Sequence, residues 1–312
     1  MFPAFLTTIL FSISGVTAMR STRYLPSMEA NFWRLVLATI FLGLYAHTLG
    51  AGLGGAAMGW FVISGFIGFG IGDIALYLAY PRLGSRLAVL VVHCVAAPLA
   101  ALVEWGWLRQ AMTGSEMVAS VLILSGVAIA LMPGNSQGRS EAMLKRGSAA
   151  AGVGFALVAA AGQGLGAVLS RRAFETARAA GESIDGVSAA YQRILAGVAL
   201  SALSYWVWNR RTARDAGASL AAAGFARTLR ERARQAGPWV VANALAGPAL
   251  GVSCFQWALA ERGTGVVLPI VALTPLIIIP FSMKMEGERP SVRSLIGGLV
   301  AVVGAVIHKL GH

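Results

Sequence analysis

A chain of 312 residues that is 57% hydrophobic and only 12% charged holds about half the charge of a typical soluble domain, and no water-soluble fold hides that much apolar surface. The net charge of +12 would suit nucleic acid, but the basic residues sit between apolar stretches, where membrane proteins keep them, so nucleic acid is not expected as a partner. Cys94 and Cys254 lie inside apolar segments, and no spacing of Cys and His suits a metal.

A hydrocarbon core of roughly 30 Å takes about 20 apolar residues per helix, and the chain offers ten such stretches: 2–19, 30–49, 57–79, 86–107, 115–133, 148–169, 187–208, 239–260, 264–283 and 291–310. They lack period-two alternation, and a backbone in lipid must satisfy its own hydrogen bonds, so each reads as a helix. No Lys or Arg precedes the first stretch, while Arg20 and Arg23 follow it. A signal peptide has the reverse pattern, so the first helix is expected to be retained. The second stretch opens on Phe32-Trp33-Arg34, and the third carries Trp60, Gly68, Gly72 and Asp73. His93, Pro98 and Glu104 lie in the fourth. A polar joint at 134–147 separates the halves, and Gln163 lies in the sixth stretch. The seventh opens on Tyr191-Gln192-Arg193. The link 209–238 is rich in arginine and reads either as a helix on the membrane surface, with Leu220, Phe225 and Leu229 on one side, or as a solvated loop. Trp239, Asn243, Gly247, Gly251, Gln256 and Trp257 mark the eighth stretch, and Pro269, Pro275 and Pro280 interrupt the ninth.

The halves overlay. Trp60, Gly68 and Gly72 recur at the same spacing as Trp239, Gly247 and Gly251; Arg34 matches Arg193, Gly15 and Arg20 match Gly166 and Arg171, and Pro98 and Glu104 match Pro280 and Glu286. Five spans are an odd number, so the second copy enters from the opposite face. The expected fold is an all-α membrane protein of ten transmembrane helices, two inverted five-helix repeats at 1–134 and 147–310 forming one transport unit. Links after the odd-numbered spans carry 17 Lys and Arg against 6 on the other face. That bias puts the 209–238 link in the cytoplasm and both termini outside, in the cell (inner) membrane.

With these marks the sequence resembles the drug/metabolite transporter superfamily, and within it the EamA-type families, over nearly the whole chain. The resemblance rests on the aromatic-x-Arg openings of the second and seventh spans and on the glycine-rich third and eighth spans. It rests also on the run from Leu273-Thr274-Pro275-Leu276 through Glu286-Gly287-Glu288-Arg289-Pro290-Ser291 into a glycine-rich last helix. The first half departs from it at Trp105-Gly106-Trp107-Leu108-Arg109, where Gly-Glu-Arg would stand. The resemblance implies a carrier of small molecules, such as amino acids, other metabolites, drugs or nucleotide sugars, often outward.

Polar groups within the spans are the candidate site. Asp73 is costly at mid-membrane, about 2.5–3.5 kcal/mol on insertion scales, and is expected to serve substrate or protons, or to be the structural partner of an arginine or a backbone group; its counterpart in the second half is Val252. Arg34 and Arg193 suit an anionic substrate group or snorkel to headgroups. His93 could relay protons. Tyr77, Gln163, Asn243, Gln256 and Trp257 could line a cavity. Gly68, Gly72, Gly247 and Gly251 permit close helix contact, and Pro98, Pro275 and Pro280 permit bending. The expected function is secondary transport, chiefly export, of a small metabolite by alternating access, coupled to protons or passive. A lipid or lipid-linked sugar flippase and a non-transporting membrane subunit or receptor are the alternatives. No catalytic cluster and no nucleotide-binding motif occurs, so neither an enzyme nor any cofactor is expected. The partners are the bilayer and a small molecule, and the chain acts as a monomer or homodimer.

Overall fold

The computed structural model describes residues 1–108, 114–131, 149–215, 222–287 and 290–310. Every regular element among the described residues is a helix. Among the described residues, seven helices are long and apolar enough to cross a membrane, and two shorter apolar stretches, Met117–Ala130 and Val292–Ile307, accompany them.

Helix α1 (Phe2–Ser21) starts with Pro3 in its first turn, where a missing N–H costs nothing. Its polar face is satisfied internally: the hydroxyls of Thr7, Thr8, Ser12 and Thr17 each donate to the carbonyl four residues back at 2.8 Å. Helix α2 spans Ser27–Thr48. Helix α3 (Met58–Leu83) contains a π-helical stretch, Phe66–Gly72. Gly84, at φ +79°, ends it, since only glycine adopts that backbone without strain, and α4 (Ser85–Trp107) follows. Helices α5 (Gly114–Leu131), α6 (Ala149–Ala179) and α7 (Gly186–Asp215) come next. Helix α8 begins at Ala222–Ala244, passes through a π stretch at Leu245–Ala249 and ends with Leu250–Glu261. Pro248 lies inside that π stretch, and having no N–H to donate it loosens the α register there. Helix α9 (Thr264–Glu286) is two pieces, Thr264–Val271 and Thr274–Glu286, with Pro275 at the start of the second, and α10 is Val292–Leu310.

The third, fourth and ninth spans fall close to their expected ranges. The sixth and seventh helices outrun theirs at the C-terminal end, reaching Ala179 and Asp215. The described part of the arginine-rich link is helix continuous with α7 or α8 rather than a separate surface helix. Leu220 lies outside the described residues, as do 134–147.

Small residues set the packing. Helix α6 packs along α3 and α4. A Cβ added to Gly162 would lie 2.8 Å from the Gly72 Cα, and one on Gly164 would lie 2.7 Å from the Ala96 carbonyl. Helices α5 and α10 lie side by side in the same manner, a Cβ on Gly126 falling 2.6 Å from the Gly297 carbonyl. Helix α2 packs chiefly on α7. Leu44, Val121, Leu124 and Leu203 are exposed on the outer surface, as suits a chain whose solvent is hydrocarbon.

The glycine-rich link before α3 is held by groups from the second half. Asp185 accepts from the backbone N–H of Val187 and Ser188 at 2.9 Å and from the Ser188 hydroxyl at 2.6 Å, which caps α7. The Ser188 hydroxyl accepts from the Ala51 N–H at 2.9 Å, and Glu182 accepts from the Ala56 N–H at 2.9 Å. Gln192 Nε2 donates to the carbonyls of Gly52 and Gly54, each at 3.1 Å. Burial alone would push the Asp185 carboxyl up, but hydrogen bonds from Ser188, Ala51 and Val187 outweigh it and hold the carboxyl below its ordinary value.

Candidate functional site

A cavity of about 720 Å³ of empty space, part of it open to the surroundings, lies between α1, α2, α3, α4, α6, α7 and α8. Its polar lining is Ser14, Arg34, Asp73, Tyr80, His93, Gln163 and Arg193. Phe11, Phe69, Leu76, Val92 and Phe255 supply most of the apolar wall. That mixture, mostly apolar with a few converging polar groups, is typical of small-molecule sites.

Asp73 stands at the end of the π stretch of α3. Arg34 donates to its carboxylate through Nη2. The same guanidinium is held on its other sides: Nε donates to Asn31 Oδ1 at 3.0 Å, and the head lies 4.7 Å from the Tyr77 ring centre. Asn31 in turn donates to Ser201 at 3.2 Å. Tyr77 donates to Asn243 Oδ1 at 2.9 Å, and Asn243 Nδ2 donates to the Ser14 carbonyl at 2.6 Å. One network thus joins α1, α2, α3, α7 and α8. The pairing of Asp73 with an arginine is one of the roles its sequence position suggested.

Arg193 is held quite differently. It is 5% exposed, its head lies 5.3 Å from the Phe69 ring centre, and its Nε has no hydrogen-bond partner among the described residues. No carboxylate lies within salt-bridge distance of it among the described residues. Positions matching the partners of Arg34 explain this. Asn31, three residues before Arg34, corresponds to Ala190; Asp73 corresponds to Val252, and Tyr77 to Gln256.

His93 and Gln163 form a second polar pair. The Gln163 Nε2 lies 2.8 Å from His93 Nδ1, and the ring stacks on Phe11 at 5.4 Å and 13°. With the amide donating, Nδ1 accepts and the ring proton sits on Nε2, which leaves the imidazole uncharged.

The structure sorts the sequence candidates. Asp73, Arg34, Arg193, His93 and Gln163 meet at the cavity. Tyr77 and Asn243 stand just behind it and brace Arg34 and α1. Gln256 is fully buried outside the lining, with neither amide atom bonded among the described residues. Trp257 faces outward, 45% exposed, and donates to Glu261 at 2.6 Å.

The glycines divide in two. A Cβ on Gly72 would meet Gly162, and one on Gly251 would lie 2.9 Å from the Phe11 ring, which are helix contacts as expected. Gly68 makes room for a guanidinium, and Gly247 makes room chiefly for the Ser14 hydroxyl, 2.6 Å from a Cβ placed there. A Cβ on Gly68 would lie 3.1 Å from Arg193 Nη2, and one on Gly247 would lie 3.4 Å from Arg34 Nη1. Each arginine therefore touches a π-turn glycine of the other half, Arg193 closely and Arg34 at ordinary contact distance beside Ser14. Pro98, Pro275 and Pro280 lie away from the lining. Sequence reasoning missed Asn31, Ser14 and the three phenylalanines. Only Asn31 carried a signal, as a polar residue one turn from Arg34 on the same helix face.

The EamA-like transporter family model matches residues 1–132 and 150–308. No curated protein sequence matches the chain. A solved crystal structure of a protein 16% identical to this chain superposes with a TM-score of 0.63 over 98% of this chain and 95% of that one. Likeness at that identity bears on fold alone.

Proposed function

Since the chain belongs to the EamA-like transporter family and is an integral membrane protein of that type, we propose that it is a secondary transporter that exports a small molecule by alternating access. Its ten helices form two inverted five-helix repeats around one central site. The observation that carries this reading is the cavity itself: its charged groups, Arg34, Asp73 and Arg193, come from both halves of the chain.

The reciprocal contact of Arg34 with Gly247 and of Arg193 with Gly68 supports the inverted repeat. So does the pairing of counterpart helices, α2 with α7 and α5 with α10. Two related halves that share one site can expose it to either side by rocking. Asp73 is the proposed point of proton coupling. Protonation would remove the charge that holds Arg34 and free α2 from α3 at the cavity. The proposed topology puts both termini outside and the arginine-rich link in the cytoplasm.

The test compares metabolites released by cells carrying the unmodified chain, the Asp73→Asn variant or no transporter, at matched membrane levels. Export of one compound class by the unmodified chain alone is the expected result. Equal profiles for the first two, both above empty cells, would keep the carrier and remove Asp73 from coupling. No difference among all three would overturn export.

A further inference from the structure

The two arginines of the cavity are positional counterparts, yet among the described residues only Arg34 forms a salt bridge. Arg34 has Asn31 on its Nε, Asp73 on its Nη2 and Tyr77 beneath its face. Arg193 has Ala190, Val252 and Gln256 at the matching positions, and none of them can supply an anionic partner. It is buried to all but 5%, lines the cavity, and leaves its Nε without a partner among the described residues. A buried guanidinium without an anion in contact is costly, and such charges persist where something else completes them.

The lining carries two guanidiniums, one carboxylate and an imidazole that is uncharged in its hydrogen-bonded form, so the empty cavity has an excess of positive charge. The sole acid of the lining, Asp73, is salt-bridged to Arg34 and reaches Arg193 only by longer-range attraction. No second acid is present among the lining residues to receive an ammonium group. The wall of the cavity is aromatic, with Phe69 under the Arg193 guanidinium and, elsewhere in the lining, Phe255 and Phe11 in tilted contact, ring centres 6.0 Å apart.

Resting on the transport reading above, we infer that the substrate is an organic anion: a carboxylate or phosphate on an apolar, ring-sized body, without an ammonium group. Arg193 grips the oxyanion, as a planar guanidinium fork does. The phenylalanines take the body. A zwitterion would bring a cation with no acid to meet it.

The test uses the purified full chain, in detergent for binding and in vesicles for flux. Four probes share one ring and differ in charge: 3-phenylpropionate, phenyl phosphate, phenylalanine and phenethylamine. Thermal stabilisation should occur with one of the two anions at concentrations at least tenfold below those needed for phenylalanine or phenethylamine, and which anion prevails distinguishes carboxylate from phosphate. Arg193→Gln should weaken the anion at least tenfold while leaving phenethylamine unchanged. Because that variant can lose its fold, Val252→Asp provides a second measure. It keeps Arg193, sets a carboxylate at the position matching Asp73, and should abolish the preference for anions. Equal or stronger stabilisation by phenylalanine or phenethylamine, no stabilisation by any probe, or an unchanged anion preference in folded Val252→Asp overturns the inference. Counterflow in vesicles separates the two claims. Anion-selective binding without flux of any probe keeps the charge preference and overturns transport, whereas flux without charge preference does the reverse.

Discussion

Tyr77 donates a 2.9 Å hydrogen bond to Asn243, and that bond links α3 of the first half to α8 of the second directly behind the cavity. Tyr77→Phe removes the hydroxyl and keeps the ring beneath Arg34. The expected loss is about 0.6–1 kcal/mol, the usual value of one such bond between membrane helices. Asn243→Ala should cost more, because it removes both the acceptor of the Tyr77 hydroxyl and the amide's own bond to the Ser14 carbonyl. Thermal unfolding in detergent checks the order; equal losses would mean that the Tyr77 bond is the only one that counts.

The Arg34–Asp73 pair is expected to behave as a unit. Asp73→Asn alone leaves a second buried guanidinium without its anion, and Arg34→Gln alone leaves a carboxylate without its cation. Each should destabilise more than the double change, since breaking one partner of a buried pair costs about 3–5 kcal/mol while removing both can be near neutral. A double-mutant cycle on melting temperature reads the coupling. Additive losses would show that the two side chains do not depend on each other.

Gly162 and Gly68 should differ in kind. A side chain at Gly162 meets the backbone of α3, which cannot move aside, so Gly162→Ala is expected to cost about 1–3 kcal/mol of stability. A side chain at Gly68 presses on the end of Arg193, which can swing, and otherwise meets the Gly162 carbonyl at an ordinary 3.7 Å. Gly68→Ala should therefore melt near the unmodified chain and transport poorly. Transport equal to wild type in Gly68→Ala would show that the seat of the Arg193 head is not critical.

The Asp185 cap gives a pH dependence. Its carboxyl titrates lower folded than unfolded, so its stabilisation is fully present above the ordinary carboxylate value, near pH 4, and is lost as pH falls through the depressed folded value. Melting temperature should drop on that acid limb, and Asp185→Asn should flatten the drop while lowering the plateau. A limb of the same steepness in the variant would assign the acid sensitivity to other groups.

The helices were largely legible because lipid demands long apolar stretches, and length is visible in a sequence. So were the counterpart arginines and Asp73, since a charge within such a stretch stands out. The partners of those charges were not legible. Asn31 and Ser14 look like ordinary polar residues near helix ends, and only the packing of α1 and α2 on α8 brings Ser14 and Arg34 to Asn243 and Gly247. The phenylalanines are invisible for the opposite reason: an aromatic facing a cavity and one facing lipid have the same periodic pattern. Gly68 and Gly247 read as helix-packing residues because their spacing from Gly72 and Gly251 is that of a small-residue stripe. What Gly68 accommodates is the Arg193 guanidinium, and what Gly247 chiefly accommodates is the Ser14 hydroxyl, each brought from the other half of the chain.

The π turn in α3 fixes the direction in which Asp73 faces. A π turn holds one residue more than the α register has room for. If the 7 residues of Phe66–Gly72 rewound as regular α-helix, everything beyond them would turn by about 100°. Asp73, Tyr77 and Tyr80 would rotate together away from their present partners, with no side chain altered and no charge removed. Deleting one residue from the stretch would instead let it close to α geometry with the second half of the helix near its present phase, so the site survives the loss of the surplus residue better than a change that straightens the turn at full length.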